Sequence, residues 1–424
     1  MKNSIGSSKR WIFSAITLVL ALQMGVAQSS QTESAKFAKI SGSVYDRASS
    51  VGIPQATVKW NNTNIVVFTN SDGKFSIKSD EINDSSSLEI NSLGYQKKIV
   101  LVKELTNNEN KIYLTISPIN LSQINVFPTD PNLLVRTVLA NKYENYMDEP
   151  VFATAFYRET IKKGWSYASL SEAVLSINKQ PYRSSKADQM ELIQGRKSTD
   201  YSKIDTISFN LEGGPFSAIR MDILKEPYLL FDAEDIDKYD FKMGSTLPSE
   251  DNLNYVVEFS QKDGITEPLF FGKLYIDPKK LVIVKAVFSM NLKNKEEATQ
   301  IFIKHKPVGA KVTPTMATYT VTYNEKDGKW FYAYSKGEVN FKVKWDKKFF
   351  KSNYLTTIEM AVTNWTKSER KNISSATRLK SNVRMNQAVD GFKNPEFWGN
   401  YNIIEPELPI EKAIEKIKKN LETK

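Results

Sequence analysis

Cysteine is absent from this chain of 424 residues, and histidine occurs once, at His305. The lack of cysteine excludes disulfide bonds, zinc sites with thiolate ligands and cysteine nucleophiles. A bacterial lipoprotein anchor also needs a cysteine, so we expect no lipid anchor. A single histidine cannot supply the usual set of imidazole ligands to a metal. Stability must therefore come from packing, which a chain of this length allows.

Long hydrophobic runs are also scarce, and the one clear run covers residues 11–26. Three cations precede it, and Gly25 and Ala27 place small residues at the two key positions of a cleavage site. The run is shorter than the ~20 apolar residues that a spanning helix needs. We therefore predict a cleaved secretory signal peptide at residues 1–27, with Gln28 opening the mature chain. An uncleaved anchor is the alternative.

Positive charge is in modest excess: the formal net charge is +10, or +7 without the three cations of the signal peptide. Lysines recur in pairs such as Lys347-Lys348, but no arginine-rich stripe accompanies them, so we expect no nucleic-acid partner. A solvated lysine-rich surface explains the charge most simply. Weak attraction to an anionic membrane surface or an acidic polysaccharide is the alternative.

The chain has globular composition, with 41% hydrophobic and 25% charged residues, and its length predicts two or more domains. Residues 38–117 show short alternating segments separated by turn signals, of which Asn70 to Gly73 is the clearest. The predicted strands are residues 40–45, 56–60, 65–69, 74–77, 87–91, 97–102 and 112–116. So many half-apolar strands in a short segment predict a small β-sandwich.

This first block also carries a motif pattern: ISGSVYD at 40–46, GIPQATV at 52–58, TNSDGKFSI at 69–77 and SLGY at 92–95. The pattern resembles the carboxypeptidase-regulatory-like β-sandwich domain, which is related in shape to transthyretin. That module accompanies metallocarboxypeptidases and many Bacteroidetes outer-membrane transporters and envelope proteins. The resemblance implies structural roles for the motif residues, so Asp72 receives no ligand role. A zinc carboxypeptidase site is excluded, because it needs two histidines.

A linker is predicted at 118–130, followed by a second block at 131–385. Asp130 and Pro131 are a typical helix start, and Leu134, Val138 and Tyr143 predict one buried face on a helix reaching Met147. Strands are expected at 151–161, 165–177 and 190–197, a short helix from Pro215 to Leu224, and a meander at 255–261, 269–277, 281–292, 315–324, 330–345 and 354–365.

The predicted fold is mainly β with a few helices: a small N-terminal β-sandwich followed by a larger antiparallel sheet, curled as a half-barrel and packed with helices. One buried face is indicated by Val282, Val284, Ala286 and Phe288. In outline this shape resembles the periplasmic lipoprotein-carrier fold, which holds an acyl chain.

The third block, residues 386–424, ends in an amphipathic helix with Ile410, Ile414, Ile417 and Leu421 on one face. Further motifs are AFYRE at 155–159, SEAVL at 171–175, KQPY at 179–182 and FWGNYNIIEPE at 397–407. Together they resemble the Bacteroidetes carboxypeptidase-like regulatory domain-containing envelope proteins. That family brings no established chemistry with it.

Two groups of carboxylates are weighed as sites. The acidic cluster Asp232, Glu234, Asp235, Asp237 and Asp240 lacks the alternating ligands and central glycine of a calcium loop, so we interpret it as a solvated loop.

Glu159 and Glu172 are a candidate acid–base pair on one hairpin. A turn near Lys163 would set Glu159 opposite about Ala168 and offset the two carboxylates, so structural pairing with Arg158 or nearby lysines is favoured. We predict no catalytic, cofactor-binding or metal-ligating residue and no cofactor.

Three functions stay open on the sequence alone. The leading one is a non-enzymatic binding or scaffold protein of the cell envelope, in the periplasm or at the inner face of the outer membrane, associated with outer-membrane transport. Its partner would be an envelope protein or glycan. The alternatives are a periplasmic carrier of a lipid or other hydrophobic ligand, and a carboxylate-dependent hydrolase. The oligomeric state is left open.

Overall fold

The computed structural model describes residues 37–106, 109–118, 130–199, 214–225, 230, 235–248, 253–303, 308–346, 351–366, 372–391, 397–407, 410–412 and 414–415. The predicted signal peptide, most of the predicted linker and His305 lie outside these residues. Residues 38–424 group as one compact unit. Among the described helices, none is long and apolar enough to cross a membrane.

The N-terminal part is a β-sandwich, as predicted. A three-stranded sheet in the order β4-β1-β7 faces a four-stranded sheet in the order β3-β2-β5-β6, and residues of both sheets share one core with Trp60, Phe75 and Leu88 buried in it. The strands are β1 (Ala38–Asp46), β2 (Thr57–Trp60), β3 (Val66–Phe68), β4 (Lys74–Ser79), β5 (Ser87–Asn91), β6 (Lys98–Leu101) and β7 (Asn110–Leu114).

The turn before β4 depends on Gly73, which has a φ of +79°. A Cβ atom there would lie 2.5 Å from the carbonyl oxygen of Val44. Glycine is therefore needed both for the backbone conformation and for the close approach of the neighbouring strand.

Helix α1 (Pro131–Ala140) begins as predicted, with the Asp130 carboxylate accepting the backbone N–H of Asn132 at 2.9 Å. The helix does not continue to Met147. It breaks at Asn141, and a short helix α2 (Lys142–Asn145) follows. This break turns Tyr143 outward, so the prediction that Tyr143 shares the buried face was wrong, and Tyr146 is buried instead.

The second part is a large sheet of twelve strands, antiparallel apart from its last pair, which confirms the predicted fold class. The path runs β11-β13-β14-β15-β16-β17-β18-β8-β9-β10-β19, with β12 paired to β13. The curvature expected of a half-barrel stays a prediction. The strands are β8 (Val151–Lys163), β9 (Ser166–Lys179), β10 (Gln189–Thr199), β11 (Tyr239–Met243), β12 (Leu247–Pro248), β13 (Leu253–Gln261), β14 (Phe270–Asp277), β15 (Val282–Met290), β16 (Ala310–Lys326), β17 (Lys329–Trp345), β18 (Ser352–Thr366) and β19 (Asp390–Gly391).

Three more helices with fully described bounds lie beside this sheet, and residues 410–412 and 414–415 of the predicted C-terminal helix are helical. The one expected after Gly214 is α3 (Pro215–Ile219), which is shorter than predicted and continues as turns to Lys225. Helix α4 (Lys295–Phe302), capped by the Asn294 side chain, and helix α5 (Met385–Ala388) were not predicted. The charged sequence of α4 buries only Ala298, which gives it almost no hydrophobic signal.

Both faces of the central strands of the large sheet are covered by other parts of the chain. Face A carries Arg158, Glu172 and the side chains in register with them; face B carries Glu159, Lys179 and theirs. On β15 a bulge at Val284 makes Ile283, not Val282, pair in line with Ala286. The four residues predicted to share a face therefore do not all do so.

The N-terminal sandwich packs on face A. The ring of Phe68 lies 5.0 Å from that of Tyr334, and the Gln55 side-chain amide donates to the Tyr334 hydroxyl at 3.3 Å. The C-terminal segment is tied to the same sandwich, since Asn402 accepts from the backbone N–H of Lys78 at 2.8 Å. The predicted domain boundaries are not tested by these contacts and stay predictions.

Candidate functional site

Glu172 lies at the centre of a buried charge row on face A. It is fully buried and accepts from the guanidinium groups of Arg158 and Arg196, each at 2.7 Å. The register explains this meeting, because β9 places Glu172 directly between Arg158 of β8 and Arg196 of β10. Structural pairing with Arg158 or nearby lysines, favoured on sequence grounds for both glutamates, is thus confirmed for Glu172.

The C-terminal segment covers this row. Arg158 donates to the carbonyl oxygen of Ile404 at 2.8 Å, and the Arg196 guanidinium lies 4.8 Å from the ring centre of Trp398. Burial acts to raise the pKa of Glu172, but the two guanidinium groups outweigh it and hold the pKa below its ordinary value. The carboxylate is therefore ionised and fully engaged.

The row continues across the sheet with alternating sign. Glu359 stands beside Arg158 and Lys336 stands beside Glu359, and further along the same line Lys273 pairs with Glu258 at 2.9 Å. Opposite charges placed directly across neighbouring strands stabilise a sheet. The charges of face A are thus arranged as a structural ladder.

Glu159 has a different environment on face B. It is 6% exposed and accepts a hydrogen bond from the Tyr157 hydroxyl at 2.8 Å. Burial raises its pKa from 4.5 to about 7, against the opposing effect of the hydrogen bond from Tyr157. Among the described residues Glu159 forms no ion pair. It is a buried carboxyl group that holds its proton near neutrality.

Helix α5 and the residues after it close over this part of face B. Gly195, on β10, makes the approach possible, because a Cβ atom there would lie 2.3 Å from a methyl group of Val389. The glycine therefore sets the depth at which α5 covers the Glu159 carboxyl group.

The hairpin register differs from the prediction. Glu159 lies opposite Ser171, three residues beyond Ala168, because the turn falls at residues 164–165 and Ala168 itself is bulged out of the ladder. Glu172 lies opposite Arg158, so the two glutamates occupy adjacent register positions and point to opposite faces of the sheet. They cannot act together on one substrate as an acid–base pair.

A second buried charge cluster lies on face B around Lys179. Its ammonium group is 2.8 Å from the carboxylates of both Asp188 and Asp222. Tyr323 donates to Asp222 at 2.9 Å from the facing wall of the core. Burial acts to lower the pKa of Lys179, but the two carboxylates outweigh it and raise the pKa above its ordinary value. The cluster fixes the segment after α3 to strand β9.

The acidic cluster is only partly described, since Asp232 and Glu234 lie outside the described residues. Asp235 pairs with Lys238 and Asp237 pairs with Arg136, both at 2.5 Å. These residues form a short 3-10 helix leading into β11, where a solvated loop was expected. Two of its carboxylates are thus held by cations.

The apolar strip on β15, which suggested a hydrophobic ligand, packs against protein. Phe288 stacks on Tyr319 with ring centres 5.2 Å apart and meets Phe270 edge-on at 5.5 Å. Ala286 is fully buried in the same core. These contacts account for the apolar character of the strip.

The feature that sequence reasoning missed is an open groove on face A, rich in lysine. Its residues come from segments far apart in the chain, and strand register brings them together. The one local signal is Lys342-Val343-Lys344, whose two lysines share a face of a strand.

Comparison with known families bears on the sandwich. Residues 40–126 match the family model described as CarboxypepD_reg-like domain. The N-terminal sandwich is a carboxypeptidase-regulatory-like domain. The match ends well before the large sheet, so it describes the carboxypeptidase-regulatory-like domain and not the remainder of the chain.

No curated protein matches the sequence. Two solved structures are similar. One is a DUF1329 family protein from Desulfovibrio piger ATCC 29098, at 14% identity and a TM-score of 0.24; the match covers 58% of this chain and 97% of that chain. The other is a protein of unknown function from Bacteroides fragilis NCTC 9343, at 10% identity and a TM-score of 0.15; the match covers 77% of this chain and 97% of that chain. Scores this low carry no argument about fold or function.

Proposed function

We propose that this protein is a non-enzymatic binding or scaffold protein of the cell envelope. The observation that supports this most is the ion pairing of two charged residues in the core, Glu172 and Lys179. Glu172 is held by two guanidinium groups, and Lys179 is held by two carboxylates. Groups committed to ion pairs inside a packed sheet stabilise the fold and are not poised for proton transfer to a substrate.

The carboxypeptidase-regulatory-like domain supports a scaffold role because its contacts are made to both other parts of the chain. It meets the large sheet through Phe68 and Tyr334, and the C-terminal segment through Lys78 and Asn402. A module fixed at both ends presents the large sheet in a defined orientation.

The proposal places the protein outside the cytoplasm, in the periplasm or at the inner face of the outer membrane, beside outer-membrane transport. The signal-peptide pattern at residues 1–27 is its basis. Fractionation of native cells, followed by N-terminal sequencing of the purified protein, tests this. We expect an envelope protein that begins at Gln28. A cytoplasmic protein with Met1 intact would overturn the location.

The non-enzymatic part is tested separately with Glu159→Gln and Glu172→Gln. Each purified variant would be compared with the unchanged protein on panels of ester, glycoside and peptide substrates. We expect no hydrolysis above the uncatalysed rate by any of the three. Hydrolysis by the unchanged protein that disappears in a variant shown by circular dichroism to be folded would establish the carboxylate-dependent hydrolase instead.

A further inference from the structure

A groove of about 1360 Å³ opens at one end of face A, where β15, β16 and β17 run beside helix α4. Its floor belongs to face A. Ser289 and Thr318 lie opposite each other, and each is two residues along its strand from the position in line with the charge row, so their side chains point to the same face as the row. The residues before α4 and the helix itself form one wall. Thr318 of the floor lies opposite Glu338, about 14 Å along β17 from Tyr334 at ~3.4 Å per residue, and the groove extends from there away from the contact with the carboxypeptidase-regulatory-like domain.

The groove is strongly cationic. Among the described residues it is lined by six exposed lysines and one acidic side chain, Glu296; the lysines are Lys293, Lys295, Lys311, Lys342, Lys344 and Lys351. None of the six has an ion pair with a carboxylate of the described residues. The groove therefore concentrates positive potential that the carboxylates of the described residues do not neutralise.

Strand register makes this arrangement costly in the free protein. Lys311 lies directly opposite Lys344, and Lys342 follows two residues away on the same face. Like charges directly across a strand pair destabilise a sheet. At Arg158 and Glu172 the same face places opposite charges side by side. A second like pair on β16 and β17, Lys326 and Lys329, differs from the groove because Lys329 has a carboxylate partner in Asp148 at 2.9 Å. The groove departs from that pattern where an anion could sit between the lysines.

We propose that this groove binds an acidic polysaccharide chain. The proposal deepens the binding role given above and rests on it. A concave channel of this size admits an extended chain, whereas a flat bilayer would meet only its rim. Lysine ammonium groups act as point charges for carboxylates. The described lining includes no arginine to make the paired contacts typical of nucleic-acid recognition. The side chain of Phe271, 47% exposed, offers an apolar surface for a sugar ring.

The test titrates the purified protein with polygalacturonate, a polymer with one carboxylate on each sugar. Titration calorimetry measures binding at about 50 mM and about 200 mM salt. Neutral dextran, a DNA duplex and phosphatidylglycerol vesicles are titrated in parallel. The groove variant is Lys311→Gln, Lys342→Gln and Lys344→Gln together. The matched control removes the same charge from exposed lysines elsewhere: Lys103→Gln, Lys186→Gln and Lys380→Gln.

We expect the unchanged protein to bind polygalacturonate and not dextran, with weaker binding at the higher salt concentration. The groove variant should bind about tenfold more weakly or not at all, while the control keeps its affinity within about twofold. Thermal melts of both variants show whether each is folded.

Equal weakening in groove and control variants would mean diffuse attraction and would overturn the site. Binding of DNA or vesicles that depends on the groove, without polygalacturonate binding, would overturn the ligand class, and so would no binding of any anion. These results are distinguishable from failure of the proposed function: an envelope protein without polygalacturonate binding loses only the groove assignment, and a cytoplasmic protein that binds polygalacturonate through the groove loses only the envelope role.

Discussion

Replacing Glu159 by glutamine should stabilise the protein at alkaline pH, although the residue is buried in the core. The carboxyl group has a pKa of about 7 because of its burial, and Tyr157 donates to it at 2.8 Å. Glutamine has the shape of the protonated acid and keeps one accepting oxygen. The variant therefore preserves the packing and removes the cost of ionising a buried group.

The magnitude follows from the difference between folded and unfolded pKa values. The pKa of Glu159 rises from 4.5 to about 7 on folding, and each unit is equivalent to about 1.4 kcal/mol. The folded state holds the proton more tightly, so this residue lowers stability as pH rises through the interval between the two values. The penalty is about 0.8 kcal/mol at about pH 5 and about 3.3 kcal/mol at about pH 8.

Urea unfolding followed by tryptophan fluorescence at these two pH values measures the effect. We expect Glu159→Gln to gain about 2.5 kcal/mol relative to the unchanged protein on going from about pH 5 to about pH 8. An equal loss of stability at both pH values would show that the carboxylate is already ionised in the folded protein, and the reasoning would fail.

Glu172→Gln is the matched control, because it is the same substitution on the next strand of the same hairpin. It should act in the opposite direction. Removing this carboxylate leaves the guanidinium groups of Arg158 and Arg196 buried without their partner, at a cost of about 3–5 kcal/mol near pH 7. Since the folded pKa of Glu172 is lowered, the loss should shrink as pH falls below about 4.5 toward the folded pKa, where the unchanged protein loses the same contribution.

Two further substitutions test the other charge clusters. Lys179→Met leaves the carboxylates of Asp188 and Asp222 facing each other in the core. It should lower the free energy of unfolding by about 3–5 kcal/mol, as measured by urea unfolding at pH ~7. A loss under about 1 kcal/mol would contradict the buried ion pairs. Lys344→Glu places a negative charge directly opposite Lys311. It should raise the free energy of unfolding by about 0.5 kcal/mol and abolish polygalacturonate binding. Lower stability with retained binding would refute the argument that the two lysines repel each other.

Much of the strand pattern was accessible from the sequence. Alternating apolar residues between turn signals located the sandwich strands and most of the large sheet, and Asp130 with Pro131 marked the start of α1. These features are local, so a single sequence contains them. Helix α4 was missed because it has almost no apolar face; β11 was missed because it follows directly from an acidic segment.

Register was much less accessible. The pairing of Glu159 with Ser171 depends on the exact turn position and on a bulge at Ala168, neither of which has a clear sequence signature. A change of register by one residue moves a side chain to the other face of the sheet. That is why the two glutamates could be assigned to one hairpin but not to opposite faces.

The lysine groove could not be predicted for a related reason. Lys311 and Lys344 are separated by more than thirty residues in the sequence and become neighbours only through the β16–β17 pairing. Lysines are also common at solvated surfaces, so composition alone favours the simpler interpretation. Their significance emerges from the absence of neutralising partners among the described residues around the groove.

The central claim is that the protein binds its ligand in the lysine groove, while the buried charges of its core stabilise the fold. Site-specific photo-crosslinking on envelopes isolated from the native organism tests this claim most directly. A benzophenone side chain would replace Thr318 on the groove floor in one preparation and the fully exposed Trp165 at the β8–β9 turn in another. We expect a carbohydrate-containing adduct from position 318, sensitive to salt, and none from position 165. Adducts of equal yield from both positions, or none from position 318, would contradict the groove as the functional surface.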